Sequence, residues 1–166
     1  MKTEETVLEI DLNALERNVQ YLKSKLKPTT WFLAVVKASS YGNEATQIAA
    51  YIEKKKLANY FAVAYTSEGI ELRKCGISLP IIVLHPQSIN FDDIIKYQLE
   101  PTLYSLRTAH LFLEYAEKHQ LSDYPVHLKC NTGLNRLGFD FNQIDEVLSL
   151  LKNNATVRVR TAYSHL

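Results

Sequence analysis

Apolar runs that alternate with amphipathic stretches, about one run every 20–30 residues, constrain this chain more than any other feature. The runs fall at 31–36, 60–65, 80–85, 101–104, 126–129 and 156–163. The first, Trp31-Phe32-Leu33-Ala34-Val35-Val36, is apolar throughout and reads as a strand covered on both faces. Such strands belong to parallel sheets flanked by helices, and a parallel connection needs a crossover. The chain has neither Gly-x-Gly-x-x-Gly nor a phosphate-binding P-loop, so a doubly wound nucleotide-binding sheet lacks its usual signature. A β/α barrel fits better. A closed (β/α)8 barrel takes about 250 residues, and this chain has 166. The expectation is therefore an α/β fold of TIM type that is partial. About six β/α units are present over 1–166, with the carboxyl-terminal units absent and lying outside or supplied by another polypeptide.

The intervening stretches read as helices. Asp11 is placed to cap a helix whose Leu12, Leu15, Val19, Leu22 and Leu26 share one face, and Pro28 stops it. Ahead of it, Val7-Leu8-Glu9-Ile10 alternates like a short leading strand. Asn43 can cap a helix over about 43–56, and Thr66 or Ser67 one that ends at Gly76 in the C-cap position. Further helices are expected near 91–98, from Ser105 to about His119, and over about 142–153.

Net charge is +1, with acids and bases nearly balanced, so no excess charge steers the chain to nucleic acid or an anionic membrane. No apolar run approaches the roughly 20 residues of a membrane span, and residues 1–5 do not resemble a signal peptide. Cys75 and Cys130 are far apart, which reads as two reduced thiols in a cytoplasmic protein. His85, His110, His119, His127 and His165 form no metal-ligand spacing, so no metal site is expected.

Two stretches carry chemistry. The first apolar run stops on Lys37, at the end of a strand where α/β folds keep their active sites. Partial desolvation there lowers the lysine's affinity for its proton and frees the amine to attack a carbonyl. Tyr41 supplies a phenol nearby, and Gly42 permits a tight turn. The second stretch runs from the fifth strand through Lys129-Cys130-Asn131-Thr132-Gly133-Leu134-Asn135-Arg136-Leu137-Gly138-Phe139. It is a loop that points at the same barrel mouth and holds two glycines and one arginine.

Ala34-Val35-Val36-Lys37-Ala38-x-x-Tyr41-Gly42 resembles the pyridoxal 5'-phosphate (PLP) lysine motif of the alanine racemases, which are fold-type III enzymes. Ser39, Ser40 and Asn43-Glu44 depart from the Asp, Ala and His-Gly common in that family. The Arg136 loop is similar to the racemase motif lysine-x-x-Thr-Gly-Met-x-Arg-Leu-Gly-Phe, with Leu134 in place of methionine. Tyr163-Ser164-His165 resembles the family's Ser/Thr-His strand end, and the stretches 60–64 and 68–73 also look like the family, with a packing role.

The resemblance implies that Lys37 forms the Schiff base with PLP and serves as one catalytic base. It implies that Tyr41 helps hold the phosphate, Arg136 donates to the phenolic oxygen, and His165 packs beside the ring. Lys129 matches a lysine that is often carbamylated and then orients the arginine. Racemisation needs a second acid/base group on the opposite face. In the family this is a tyrosine from the carboxyl-terminal domain of a partner subunit, and it falls beyond residue 166, as do an arginine at the pyridine nitrogen and most phosphate contacts. The implied whole is a cytoplasmic homodimer that interconverts L- and D-alanine for peptidoglycan synthesis, in some bacteria fused behind a cell-wall peptide ligase. The 166-residue chain alone is expected to be inactive. Three other readings stay open: a PLP-binding homeostasis protein without turnover, a PLP-dependent barrel lyase or decarboxylase acting on another amino acid, and a non-catalytic module completed by a partner.

Overall fold

The computed structural model describes residues 6–152 and 154–165; residues 1–5, Asn153 (the expected end of the last helix) and Leu166 lie outside them. Six strands form one sheet in chain order: β1 (Leu33–Val35), β2 (Tyr60–Val63), β3 (Ile81–Val83), β4 (Glu100–Leu103), β5 (Tyr124–Cys130) and β6 (Val157–Ser164). Every neighbouring pair is parallel, with Ala34 opposite Phe61, Ala62 opposite Ile82, Val83 opposite Pro101, Leu103 opposite Leu128, and Leu128 opposite Ala162. The curled sheet is a half-barrel in which β1 and β6 each pair on one side only among the described residues. No helix of these residues is long and apolar enough to cross a membrane.

The helices are α1 (Leu12–Ser24), the single turn α2 (Lys37–Gly42), α3 (Ala45–Lys54), α4 (Thr66–Lys74), α5 (Phe91–Lys96), α6 (Leu106–Lys118) and α7 (Ile144–Lys152). Most begin and end within two or three residues of the positions their sequence signals predict. The Asp11 carboxylate accepts from the Asn13 and Ala14 amides at 2.9 and 3.0 Å, and Ser105 Oγ accepts from Thr108 N–H at 3.1 Å. Gly76, with φ +88°, ends α4 where a left-handed residue is needed.

The two faces of the sheet are distinct because side chains alternate along each strand. Phe61, Val63, Ile81, Val83, Leu103 and Val126 point outward and are fully buried under the helices with Phe112 and Ile94. Each large side chain so buried stabilises by about 1.5–3 kcal/mol. Phe112 sits edge-on to Phe91 at 5.0 Å between ring centres, and 6.1 Å from Tyr124, tying α6 to α5 and β5. Arg73 closes the bottom of the same layer: its guanidinium donates to the carbonyls of Tyr97, Ile77, Leu79 and Gln98 at 2.7–3.0 Å. Inward, Tyr60, Ala62, Ile82 and Leu84 form a second apolar cluster.

Two expectations are corrected. Residues 7–10 are not a strand. A strand exists only by pairing, and no described strand lies beside them; Val7 and Leu8 are exposed while Ile10 packs on the core. The first apolar run is also not covered on both faces. Only Leu33–Val35 is in the ladder, and of these Ala34 alone is buried. Leu33 and Val35 look into the open inner face and remain 38% and 41% exposed.

Candidate functional site

The carboxyl ends of β1, β5 and β6 deliver the site. Val36 N–H donates to Ala62 O at 2.9 Å, carrying the ladder one residue past β1 and placing Lys37 at its rim. The chain then turns the wrong way. Ala38, Ser39, Ser40 and Tyr41 all have φ of 50–58° and ψ of 39–49°, a full turn of left-handed helix. For L-residues that conformation costs roughly 1–2 kcal/mol each, because Cβ crowds the following carbonyl. The turn is held by Ser40 N–H on Val36 O (3.0 Å) and Asn43 N–H on Ser39 O (2.8 Å). Asn43 therefore does not cap α3. Its side chain donates backwards to Ser40 O at 2.9 Å, and Gly42, at φ +89°, and Glu44, at φ +62°, make the exit.

At the end of β5, residues 131–139 leave the strand and return to it. Phe139 N–H donates to Lys129 O at 2.8 Å, Asn131 N–H to Phe139 O at 2.9 Å, and Gly138 N–H to Tyr104 O at 3.2 Å. Inside the loop, Asn131 Oδ1 accepts from Asn135 N–H at 3.0 Å while its amide donates to Asp140 at 2.7 Å. The loop presents Arg136 back towards Lys129. Lys129 is 7% exposed, with its ammonium 5.2 Å from the centre of the Tyr163 ring. Burial, then the nearby Arg136 charge, pull its pKa below the ordinary lysine value. Tyr163 OH pairs with Thr102 Oγ1 at 3.0 Å, and burial pushes its phenol pKa up.

Lys37, Tyr41, Lys129, Arg136 and His165 all line one cavity of about 800 Å³. The five residues come from three strand ends spread over most of the chain, and the fold brings every one of them together. The cavity also takes Tyr65, His85 and Tyr163, which sequence reasoning did not assign to the site. His85 stands between Tyr65 and Tyr104, at 5.7 and 5.2 Å between ring centres, and burial lowers its pKa. Its one sequence signal is its place as the last residue of the third apolar run. Below the cavity lies a polar floor. His127 Nε2 donates to Glu100 and Nδ1 pairs with Thr161, both at 2.7 Å. Arg160 donates to Tyr60 OH at 3.1 Å and lies over Trp31. No group of three His, Cys, Asp or Glu among the described residues could hold a metal ion.

The donor set suits a flat, anionic carbonyl compound: an amine to capture the carbonyl, a phenol and a guanidinium to meet oxygens, and apolar walls from Val35, Ala62, Ile82 and Leu84 to cover a ring. PLP has these properties, so the residues present fit it.

A family profile described as alanine racemase, N-terminal domain, matches residues 10–166. The chain is 39% identical over 164 residues to an alanine racemase of Nostoc sp., covering 96% of this chain and 42% of that protein. It is 35% identical over 167 residues to an amino-acid racemase of Enterococcus faecalis, of which it covers 22%. Among solved structures, the alanine racemase of Clostridium difficile 630 superposes with a TM-score of 0.85 at 34% identity, covering 93% of this chain and 41% of that one. The chain thus spans less than half the length of these relatives. It belongs to the family of alanine racemase N-terminal domains.

Proposed function

We propose that this chain supplies the cofactor-holding half of a PLP-dependent racemase that interconverts L- and D-alanine for peptidoglycan synthesis. The observation that carries the reading is the convergence of Lys37, Arg136 and His165, from the ends of β1, β5 and β6, on one cavity. When bound, PLP supplies the electron sink that stabilises negative charge at an amino acid's α-carbon. Lys37 Nζ would hold the cofactor and move the α-proton on its own face. Arg136, always charged, would meet the phenolic oxygen and favour its ionised form. Tyr41 would help hold the phosphate, and His165 would pack beside the ring. Lys129, nearly buried beside Arg136, would add carbon dioxide through its neutral amine and release a proton, giving a carbamate whose negative charge orients the guanidinium. The proton on the opposite face comes from a group outside this chain, in keeping with a homodimer whose partner subunit completes the site. The relatives named above as alanine racemases, one of them also solved in complex with cycloserine, support alanine as substrate.

The test is α-hydrogen exchange of alanine in deuterium oxide with the natural full-length polypeptide and its Lys37→Ala variant. The native protein exchanges and racemises, and the variant loses roughly 10²–10⁴-fold, the range set by a missing general acid/base. Full activity in the variant sinks the assignment of Lys37. No exchange in the native protein replaces the racemase with a PLP carrier, and release of a new product replaces it with a lyase or decarboxylase.

A further inference from the structure

The Glu68 carboxylate, on the first turn of α4, receives three backbone N–H groups from two different strand ends. Oε1 accepts from Ala38 at 2.6 Å; Oε2 accepts from Ala64 at 2.6 Å and Tyr65 at 3.0 Å. Ala38 follows Lys37 directly and is the first residue of the left-handed turn, at φ 50°. The bonds from Ala64 and Tyr65 satisfy orphan donors at the start of α4, as a glutamate three residues into a helix often does. The bond from Ala38 serves no helix that Glu68 belongs to. It ties the strained turn to the end of β2, across 30 residues of sequence.

Beside the turn's own bonds from Ser40, Asn43 and the Asn43 side chain, this contact ties it to a second element. Gly69 lets α4 come down on the core, since a Cβ there would lie 2.9 Å from Leu99 Cδ1. That approach brings Glu68 within reach of Ala38. The hydroxyls of Ser40 in the turn and Thr66 at the start of α4 are buried without hydrogen-bond partners. A short bond to a carboxylate is about twice as strong as a neutral one, enough to offset the cost of one or two left-handed residues. We infer that Glu68 is a positioning residue, holding the left-handed turn so that Lys37 and Tyr41 both face the cavity. The inference rests on the reading of Lys37 as the cofactor lysine.

Glu68→Gln separates this role from helix capping. An amide has one acceptor oxygen, which stays with Ala64 and Tyr65, while its NH₂ then opposes the Ala38 N–H. In the natural full-length protein without cofactor, amide hydrogen exchange over residues 37–43 should quicken by about tenfold or more in E68Q, with the strands unchanged. Labelling of Lys37 by PLP and borohydride should slow in the same variant. Ala38→Gly should restore most of it, because glycine takes φ 50° without strain.

Unchanged exchange over 37–43 overturns the proposal, as does a uniform loss of protection through the whole protein. If E68Q does not fold, Glu68→Asp, one methylene short of Ala38, takes its place in the same measurements. If neither folds, Glu68 is a folding residue and the proposal falls. Absence of labelling in the native protein would instead defeat the assignment of Lys37, while the exchange result still decides whether Glu68 clamps the turn.

Discussion

A methyl group on Gly138 would lie 2.6 Å from the Cys130 carbonyl carbon and 2.7 Å from the Asn131 nitrogen, inside the return that carries Arg136. Its φ of +127° is equally closed to other residues. Gly138→Ala should therefore cost about 1–3 kcal/mol in denaturant unfolding, and should weaken PLP binding in a cofactor titration because the Arg136 loop must shift. Lys129 leads to a different measurement. Burial and Arg136 lower its pKa, so more of it is the neutral amine that adds carbon dioxide. With ¹³C-labelled bicarbonate, a carbamate signal is expected in the native protein and not in Lys129→Met, growing as pH rises towards the amine's pKa. His85 gives a stability slope. Burial holds its pKa below the usual 6.5, so on acidification the unfolded chain takes up its proton first. Stability is unaffected above that value and falls as pH drops below about 6.5. His85→Phe, which keeps the ring between Tyr65 and Tyr104, should flatten this part of a stability–pH curve.

Among the elements, α6 shows how much of the fold depends on one face. Phe112 is fully buried and touches the rings of Phe91 and Tyr124, so Phe112→Ala should destabilise by about 3–5 kcal/mol in a denaturant titration of the full-length protein. The extent of that helix was legible in the sequence, as were all six strands and the caps at Asp11 and Ser105, because each rests on a period or on a neighbour within a few residues. The left-handed turn was not legible. Ala38-Ser39-Ser40-Tyr41 contains no glycine or asparagine, and nothing local favours positive φ. The restraint comes from Glu68, a residue read from sequence as packing only, and such a partner is visible only once α4 is seated. Residues 7–10 failed for the converse reason: alternation signals a strand, but pairing makes one. At the candidate site, Lys37, Tyr41, Lys129, Arg136 and His165 were singled out through motif resemblance, and all five line the cavity. Tyr65, His85 and Tyr163 enter the cavity through sheet curvature, which no local pattern encodes.

At the scale of the molecule, the half-barrel hides one face of its sheet and shows the other. Helices seal the outer face, where the large side chains of β2 and β3 are inaccessible, whereas on the inner side Trp31 is 59% exposed and Val35 of β1 is 41% exposed. Among the described residues β1 and β6 each pair on one side only, which adds two open sheet edges to that apolar surface. Soluble monomers rarely leave such a surface uncovered. Arg160, over Trp31 on the same open side, is exposed as well. A cavity open in this way admits water to the amine and guanidinium that should hold the cofactor, weakening each electrostatic contact. The 166-residue polypeptide produced by itself should therefore self-associate, with size-exclusion and light-scattering masses that rise with concentration, and should racemise alanine at the background rate. A monomer that stays monodisperse at high concentration would show that the inner face is not sticky. Racemisation by that monomer would show that Lys37 and its neighbours suffice for both faces of the α-carbon, and the proposal of a homodimer would fall with it.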